Sequence, residues 1–494
     1  MKKLFLLAAT TLLTSAVFAQ KDDKKITDAT VNKAKIESHI YFLASDELKG
    51  RQTPSPEQLI AARYLTTQLQ SYGVKPLPAY PDYLQPVAMR TVSAPSEVTV
   101  AYNNTTFLLK ESTLKLDGEN ISLDAEGIFL NYGTEEDFKS ADVKGKVIIV
   151  KAGLPQQTNP RAWMSARQEK AKRATEKGAV GIIELYANQQ LPWKLLTSYF
   201  KGGSVELDES TTKAKPSLTH IWLHDPEGKE AVYWTDSKKA KVQIKISGIA
   251  EKKFNTYNIV GYVEGTDAKL KNEYIAYSAH YDHIGVGNPN EKGDTIYNGA
   301  RDNAVGSVTV LSAAENLAKY PTKRSALFIL FTGEEKGLLG SRWFVEHSPL
   351  ELNKIVYCFN SDNAGYNDTS IATIIGLGRT TAEGFIKKAC ETYGLKATDD
   401  PAPEQGLFDR SDNVNFAKKG IPAPTFSMGF TSFSGDVTKF YHQASDEPST
   451  LDYNYLYKFF SAYVYSCRMI GNAPARPFWK TGDKYFDAGT QLYK

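Results

Sequence analysis

Between residues 258 and 469 the chain alternates short runs of β-branched and aromatic residues with longer helical patterns, and that alternation restricts the fold more than any other feature. Residues 258–263, 274–279, 326–331 and 355–359 read as strands, and 422–427 is a further candidate. Helical spacing fills most of the intervals, over 304–319, 338–347, 382–393 and 452–469. Strands separated by helices of this length build a mixed, mostly parallel sheet with helices on both faces, an α/β architecture. In such sheets ligands gather beyond the carboxyl ends of the strands.

Those carboxyl ends are chemically unusual here. The run 274–279 leads into His280-Tyr281-Asp282-His283, 326–331 into Thr332-Gly333-Glu334-Glu335, and 355–359 into Asn360-Ser361-Asp362. Ala300-Arg301-Asp302-Asn303 precedes the helix that begins at Ala304. A single acid or histidine at a strand end is usually solvated or caps a helix; several converging on one crevice call for another explanation. Imidazole nitrogen and carboxylate oxygen together suit zinc, whose catalytic sites keep a position open, and paired ions at about 3.5–4 Å clamp a reacting oxygen between them. Asp282 shares a side of the extended chain with His280 and is suited to orient its ring. Glu334 and Glu335, being neighbours, cannot both point at one atom; one can bind metal while the other stays free to take a proton.

The matching stretches His280-Tyr-Asp-His-Ile-Gly285, Gly299-Ala-Arg-Asp-Asn-Ala-Val-Gly306, Gly333-Glu-Glu-Lys-Gly-Leu-Leu-Gly-Ser341, Asn360-Ser-Asp362 and Tyr441-His442 resemble the M28 family of zinc metallopeptidases in residue, order and spacing. The likeness covers about 30–95 and 250–470. It implies two zinc ions, with His280 and Asp362 on one, Glu335 and His442 on the other, and Asp302 bridging them. It further implies that Glu334 is the general base that activates a metal-bridging water, and that Tyr441 donates to the oxyanion. The activity implied is removal of the N-terminal residue of a peptide. A dizinc carboxypeptidase or dipeptidase, a glutaminyl cyclase-like enzyme and a non-catalytic receptor-like relative are the alternatives. Departures from the family pattern are Arg301, where an acid is common, Asn413, where a histidine is common, and Phe408, where some members have a tyrosine. Arg301 could pair with Asp302 or meet a substrate carboxylate.

From about 95 to 245 the texture changes to short β-type runs. They include 147–150, a helix over about 167–176, and a strand over 178–183. Asp142-Val-Lys-Gly-Lys-Val-Ile-Ile-Val150 and Lys177-Gly-Ala-Val-Gly-Ile-Ile183 resemble a protease-associated domain. The expected division is a signal peptide at 1–19, a first part of the peptidase domain at 20–95, the β-rich insertion at 96–248, the catalytic domain at 249–475 and a loop-like tail at 476–494. The leader reading rests on Lys2 and Lys3, the apolar run 4–13, small Val17 and Ala19, and the polar stop Gln20-Lys21-Asp22-Asp23. It implies a periplasmic or secreted protein with no stable membrane insertion. A net charge of +3 with no basic block argues against nucleic acid as a partner and leaves a peptide substrate. Oligomeric state is not legible. Cys358, Cys390 and Cys467 are too few for a disulfide framework; one bridge or three buried thiols are both compatible with them.

Overall fold

The computed structural model describes residues 23–157, 160–188, 191–199, 202–209 and 218–494, so the leader at 1–19 lies outside the described residues. The chain divides into two compact units: residues up to Val87 with Asn255–Lys494, and Ala88–Phe254.

In the first unit, helices α1 (Lys33–Leu43) and α2 (Pro56–Ser71) precede the sheet. Local chemistry starts α2 where it does. Ser55 accepts from the Gln58 N–H, and Pro56 occupies the first turn, where its missing N–H costs nothing. Strand β1 (Glu251–Val263) is followed by β2 (Tyr274–His280), α3 (Gly306–Lys319), β3 (Ser325–Phe331), α4 (Leu339–Glu346) and β4 (Ile355–Ser361). Beyond these come β5 (Ile371–Ile375), α5 (Glu383–Thr392), β6 (Lys396–Thr398), α6 (Asn413–Lys418), β7 (Thr425–Met428) and α7 (Tyr453–Asn472). The strands lie in the order β6-β5-β7-β4-β2-β3-β1. The pairs β2–β3, β2–β4, β4–β7 and β5–β6 are parallel, while β1–β3 and β5–β7 are antiparallel.

Alternate residues of β3 serve opposite faces. Ala326, Phe328 and Leu330 pack with Val308 of α3 and Phe459 of α7, and Leu327, Ile329 and Phe331 pack with Phe344 of α4 and Phe416 of α6. A strand covered on both sides can be apolar at every position, which is why this run carries no alternation in its sequence. The tail is not loop-like as expected. Trp479 is buried with its indole N–H donating to the Gly420 carbonyl, and Phe486–Leu492 is a helix. Cys358, Cys390 and Cys467 are all free and buried. Among the described residues, no helix is long and apolar enough to cross a membrane.

The second unit holds an eight-stranded sheet ordered Thr105–Leu108, Glu97–Tyr102, Lys239–Ser247, Ile121–Phe129, Val147–Lys151, Gly181–Tyr186, Thr219–His224, Thr113–Asp117. The helix Pro160–Glu176 starts earlier than the sequence pattern suggests, and the next strand starts later. Gly178 explains the delay. Its left-handed backbone (φ +76) ends the helix, with Ala179 N–H returning to the Ala174 carbonyl.

Candidate metal centre and catalytic site

Each predicted ligand sits where a strand or turn stops. His280 is the last residue of β2, Glu334 and Glu335 follow β3, and Asp362 follows β4. Asp302 lies in the irregular turn Ala300–Val305 that leads into α3. His442 stands in the loop before α7 with a positive φ of 56. Chain positions as far apart as these converge because β2, β3 and β4 are parallel neighbours and end at the same edge.

The arrangement is centred on Asp302. Its Oδ1 is 3.2 Å from His280 Nε2 and its Oδ2 is 3.1 Å from His442 Nε2, so one carboxylate faces two imidazoles with different oxygens. His280 Nε2 is also 3.3 Å from Asp362 Oδ1, and His442 Nε2 is 3.3 Å from Glu335 Oε2. Two clusters of possible ligand atoms result: His280, Glu334 and Asp362 form one, and His283, Asp302 and Glu335 the other.

The two adjacent glutamates are driven apart electrostatically. Burial, reinforced by the charges of Asp362, Glu335 and Asp412, raises the Glu334 pKa well above the ordinary carboxylate range against the pull of His280. Glu335 is buried too and lies near Asp302, yet hydrogen bonds with His283 and His442 hold it down at about 2. Neighbouring carboxyls with opposite shifts are suited to different tasks. Burial would favour a neutral His280 ring, but Glu334, Asp362 and Asp302 outweigh it and raise its pKa well above the ordinary imidazole value.

Asp282 reaches His280 by an indirect route. Its carboxylate is 3.9 Å from His280 Nδ1, whereas its main-chain carbonyl is 3.1 Å away. The carboxylate accepts instead from Thr53 Oγ1 (3.0 Å) and the Glu334 N–H (3.2 Å), thereby tying the loop after β3 to the loop after β2. Tyr441 stacks on His442 with ring centroids 3.9 Å apart, lines the cavity beside Glu334, and accepts a hydrogen bond from Arg410 Nη2.

Arg301 corrects an expectation. It neither pairs with Asp302 nor lines the cavity beside Glu334. Its buried side chain donates to Asp446 Oδ1 (2.9 Å) and Thr450, and its guanidinium lies 3.7 Å from the centre of the Phe440 ring. Asn413 donates to the Ala423 carbonyl, and the Phe408 ring lies against Arg379.

Three supporting residues escaped the sequence reading. Asp446 accepts from the main-chain N–H groups of Arg301 and Asp302, fixing the turn that presents Asp302. Arg51 is fully buried and donates to the carbonyls of Leu43, Tyr281, Asn298 and Gly299, clamping both flanking loops. His283 Nδ1 is 2.8 Å from Glu335 Oε1. Only His283 left a sequence signal, the His-x-x-His spacing with His280.

This constellation coincides with the segment 258–466, which matches the family model described as Peptidase family M28. The match to that family is carried by this segment, less than half of the chain. Aminopeptidase YwaD of Bacillus subtilis is 27% identical over 321 residues, which cover 64% of this chain and 60% of that protein. A probable leucine aminopeptidase 2 of Aspergillus oryzae is 26% identical over 300 residues, which cover 59% and 53%. In both cases the match spans less than two thirds of the relative. Among solved structures, an aminopeptidase from Aneurinibacillus sp. strain AM-1 superposes with a TM-score of 0.59 at 22% identity, covering 92% of this chain and 97% of that one. That likeness is one of fold.

Proposed function

We propose that the chain is an exported dizinc exopeptidase that removes the N-terminal residue of peptides. The observation that carries this reading is Asp302, whose two oxygens face His280 and His442 while the high-pKa Glu334 stands beside them. Two imidazoles facing the two oxygens of Asp302, with Asp362 beside His280 and Glu335 beside His442, are a donor set that fits two divalent ions. His280 and Asp362 would hold one zinc, Glu335 and His442 the other, with Asp302 common to both. Bound there, the pair supplies Lewis acidity toward the scissile carbonyl and acidifies water.

The chain's own groups do the rest. Glu334 takes a proton from the attacking water at its carboxylate and later delivers it to the leaving amine. A carboxyl whose pKa is raised above the ordinary carboxylate range is suited to both transfers. The Tyr441 hydroxyl, steadied by its stacking on His442, donates to the oxyanion; a donor of this kind is worth about 3–4 kcal/mol. Asp282 orients His280 through its main-chain carbonyl and holds the Glu334 N–H with its carboxylate. The β-rich unit is read as a protease-associated domain over 96–248. The leader motif at 1–19 supports a periplasmic or secreted address.

The deciding experiment is hydrolysis of one short peptide with a free or an acetylated N-terminus by zinc-loaded protein. Cleavage of the free form alone, with release of its first residue, is expected. Release from the carboxyl end of both forms would move the assignment to a carboxypeptidase, and no cleavage of either would sink the exopeptidase reading.

A further inference from the structure

The cavity beside Glu334 has one wall of carbon. Ile375 and Phe430 pack together there with Leu407 and Phe433 against them, and all four side chains line the pocket. Its carboxylate-bearing lining residues are Asp302, Glu334 and Asp362. An anionic group entering this space meets repulsion from those acids and no hydrogen-bonding partner on the apolar wall. One lining residue differs. Arg410 is the single lysine or arginine of the lining, its side chain is exposed, and among the described residues no carboxylate lies within ion-pair distance of it.

The position of Arg410 is defined on both sides. Its Nη2 donates to Tyr441 Oη at 3.2 Å, and its guanidinium carbon is 5.8 Å from the centre of the Phe433 ring. Tyr441 is itself stacked on His442. The guanidinium therefore stands at the boundary between the apolar wall and the candidate metal ligands, one aromatic ring away from them. Five N–H donors in a planar fork, of which one is used by a phenol, leave a face able to take a carboxylate through two parallel hydrogen bonds. Arg301, the cation that the sequence suggested for such a role, is instead buried against Asp446.

We propose that Arg410 is a specificity residue that receives a carboxylate of the substrate close to the scissile bond. This rests on the exopeptidase reading above. A residue advances an extended chain by only about 3.3–3.6 Å, so a carboxylate within reach belongs to the bound end of a short substrate and not to a distant residue. Two sources have that chemistry: the side chain of an acidic first residue, and the terminal carboxylate of a dipeptide. Either one exchanges a solvated cation beside a phenol for a charge-assisted pair partly shielded by Phe433.

The test uses two matched substrate pairs on the full-length zinc-loaded protein: Leu-Ala against Leu-Ala amide, and Glu-Ala amide against Gln-Ala amide. Wild type is expected to favour the carboxylate member of one pair by about tenfold or more in kcat/KM. Preference within the first pair assigns the terminal carboxylate, and preference within the second the acidic side chain. In Arg410→Gln that preference falls to near one, through KM and not kcat, while the uncharged members keep a rate within about threefold of wild type. Arg410→Lys restores part of the preference, since a point charge replaces the fork. A general effect transmitted through Tyr441 would lower both members of a pair together and leave their ratio intact, and that outcome overturns the proposal. So does a wild type with no preference in either pair, which nonetheless leaves the exopeptidase reading standing if the neutral peptides are cleaved. Failure of wild type to cleave any of the four sinks both.

Discussion

Two of the buried charge clusters among the described residues, one in each unit, differ in how their carboxyls are matched by cationic side chains. In the β-rich unit, Glu184 lies between two cationic or hydrogen-bonding partners: Lys170 Nζ is 3.0 Å from Oε2 and His220 Nε2 is 2.8 Å from Oε1. Lys170 also donates to the Lys151 carbonyl, so the group closes on itself. Burial alone would protonate Glu184, but His220 and Lys170 together hold its pKa below the ordinary value. In the peptidase unit, Asp282, Asp302, Glu334, Glu335, Asp362 and Asp412 are gathered around three imidazoles, those of His280, His283 and His442. Arg51 lies near this group, yet its hydrogen bonds go to main-chain carbonyls. His283 Nε2 and both oxygens of Asp412 have no hydrogen-bond partner. A buried cluster closed by its own cation is a structural device; one in which carboxyls outnumber cationic side chains must hold protons on its acids and imidazoles or take positive charge from outside the chain.

The largest break in that comparison is chemical. Glu334→Gln removes the proton acceptor but no proposed metal ligand, so kcat should fall about 10²–10⁴-fold. Zinc content, measured by atomic emission, should stay at the wild-type level. A variant within about tenfold of the wild-type rate would remove Glu334 as the base. Asp302→Ala attacks the imbalance itself. The two ions lose their shared ligand, so both metal content and rate should collapse. Chelation should lower the wild-type unfolding temperature, because ligand at a thousandfold excess over Kd stabilises the folded state by about 4 kcal/mol. The unfolding temperature of Asp302→Ala should hardly respond to chelator or added zinc, and a full wild-type response would refute the bridge.

The balanced cluster should behave in the opposite way. Lys170→Met leaves Glu184 buried with His220 alone, and breaking a buried pair from one side costs about 3–5 kcal/mol. Lys170→Met combined with Glu184→Leu should recover much of that loss, since an apolar replacement carries no desolvation penalty. Neither change should alter zinc content. If the double variant is no better than the single one, the cluster contributes more than self-compensation.

The contrast between the clusters was only half legible in the sequence. Strands and the acids at their ends are local features: His280, Glu334 with Glu335, and Asp362 each terminate an apolar run that can be read within seven or eight residues. What holds them in place is not local. Asp446 is 145 residues from the Arg301 it pairs with, and Arg51 is 230 residues from the Tyr281 carbonyl it meets. No periodicity reports such a partnership, which is why Arg301 reads as a partner of Asp302 or of a substrate carboxylate until its neighbours are seen. Glu184 was invisible for a related reason. It sits inside a fully buried strand, where a polar side chain persists only because Lys170 and His220 arrive from other elements. The tail helix Phe486–Leu492 carries too short an apolar pattern to announce itself, and its position depends on packing around Trp479.

Asp412 offers the finest discrimination between the two clusters, because among the described residues no cationic side chain pairs with it. The side chain is fully buried, and burial, added to the charges of Asp362 and Asp282, raises its pKa to about 7 against the opposing effects of His280 and Ser341. In the unfolded chain the same carboxyl titrates near 3.9, so between those values the folded protein retains a proton that the unfolded chain has lost. That contribution to stability is complete below about pH 4 and is lost as pH rises through about 7, above which an unpaired charge is buried. Asp412→Asn keeps the shape and removes the titration. Metal-free variant and wild type should therefore unfold at similar urea concentrations near pH 4.5 and diverge by pH 8, where the variant should be more stable by on the order of 2 kcal/mol. Restoring zinc should shrink that difference, since divalent charge in the same cluster supplies what Asp412 lacks. An equal difference with and without zinc would mean that Asp412 is insulated from the metal centre, and the imbalance of the cluster would then have to be counted without it.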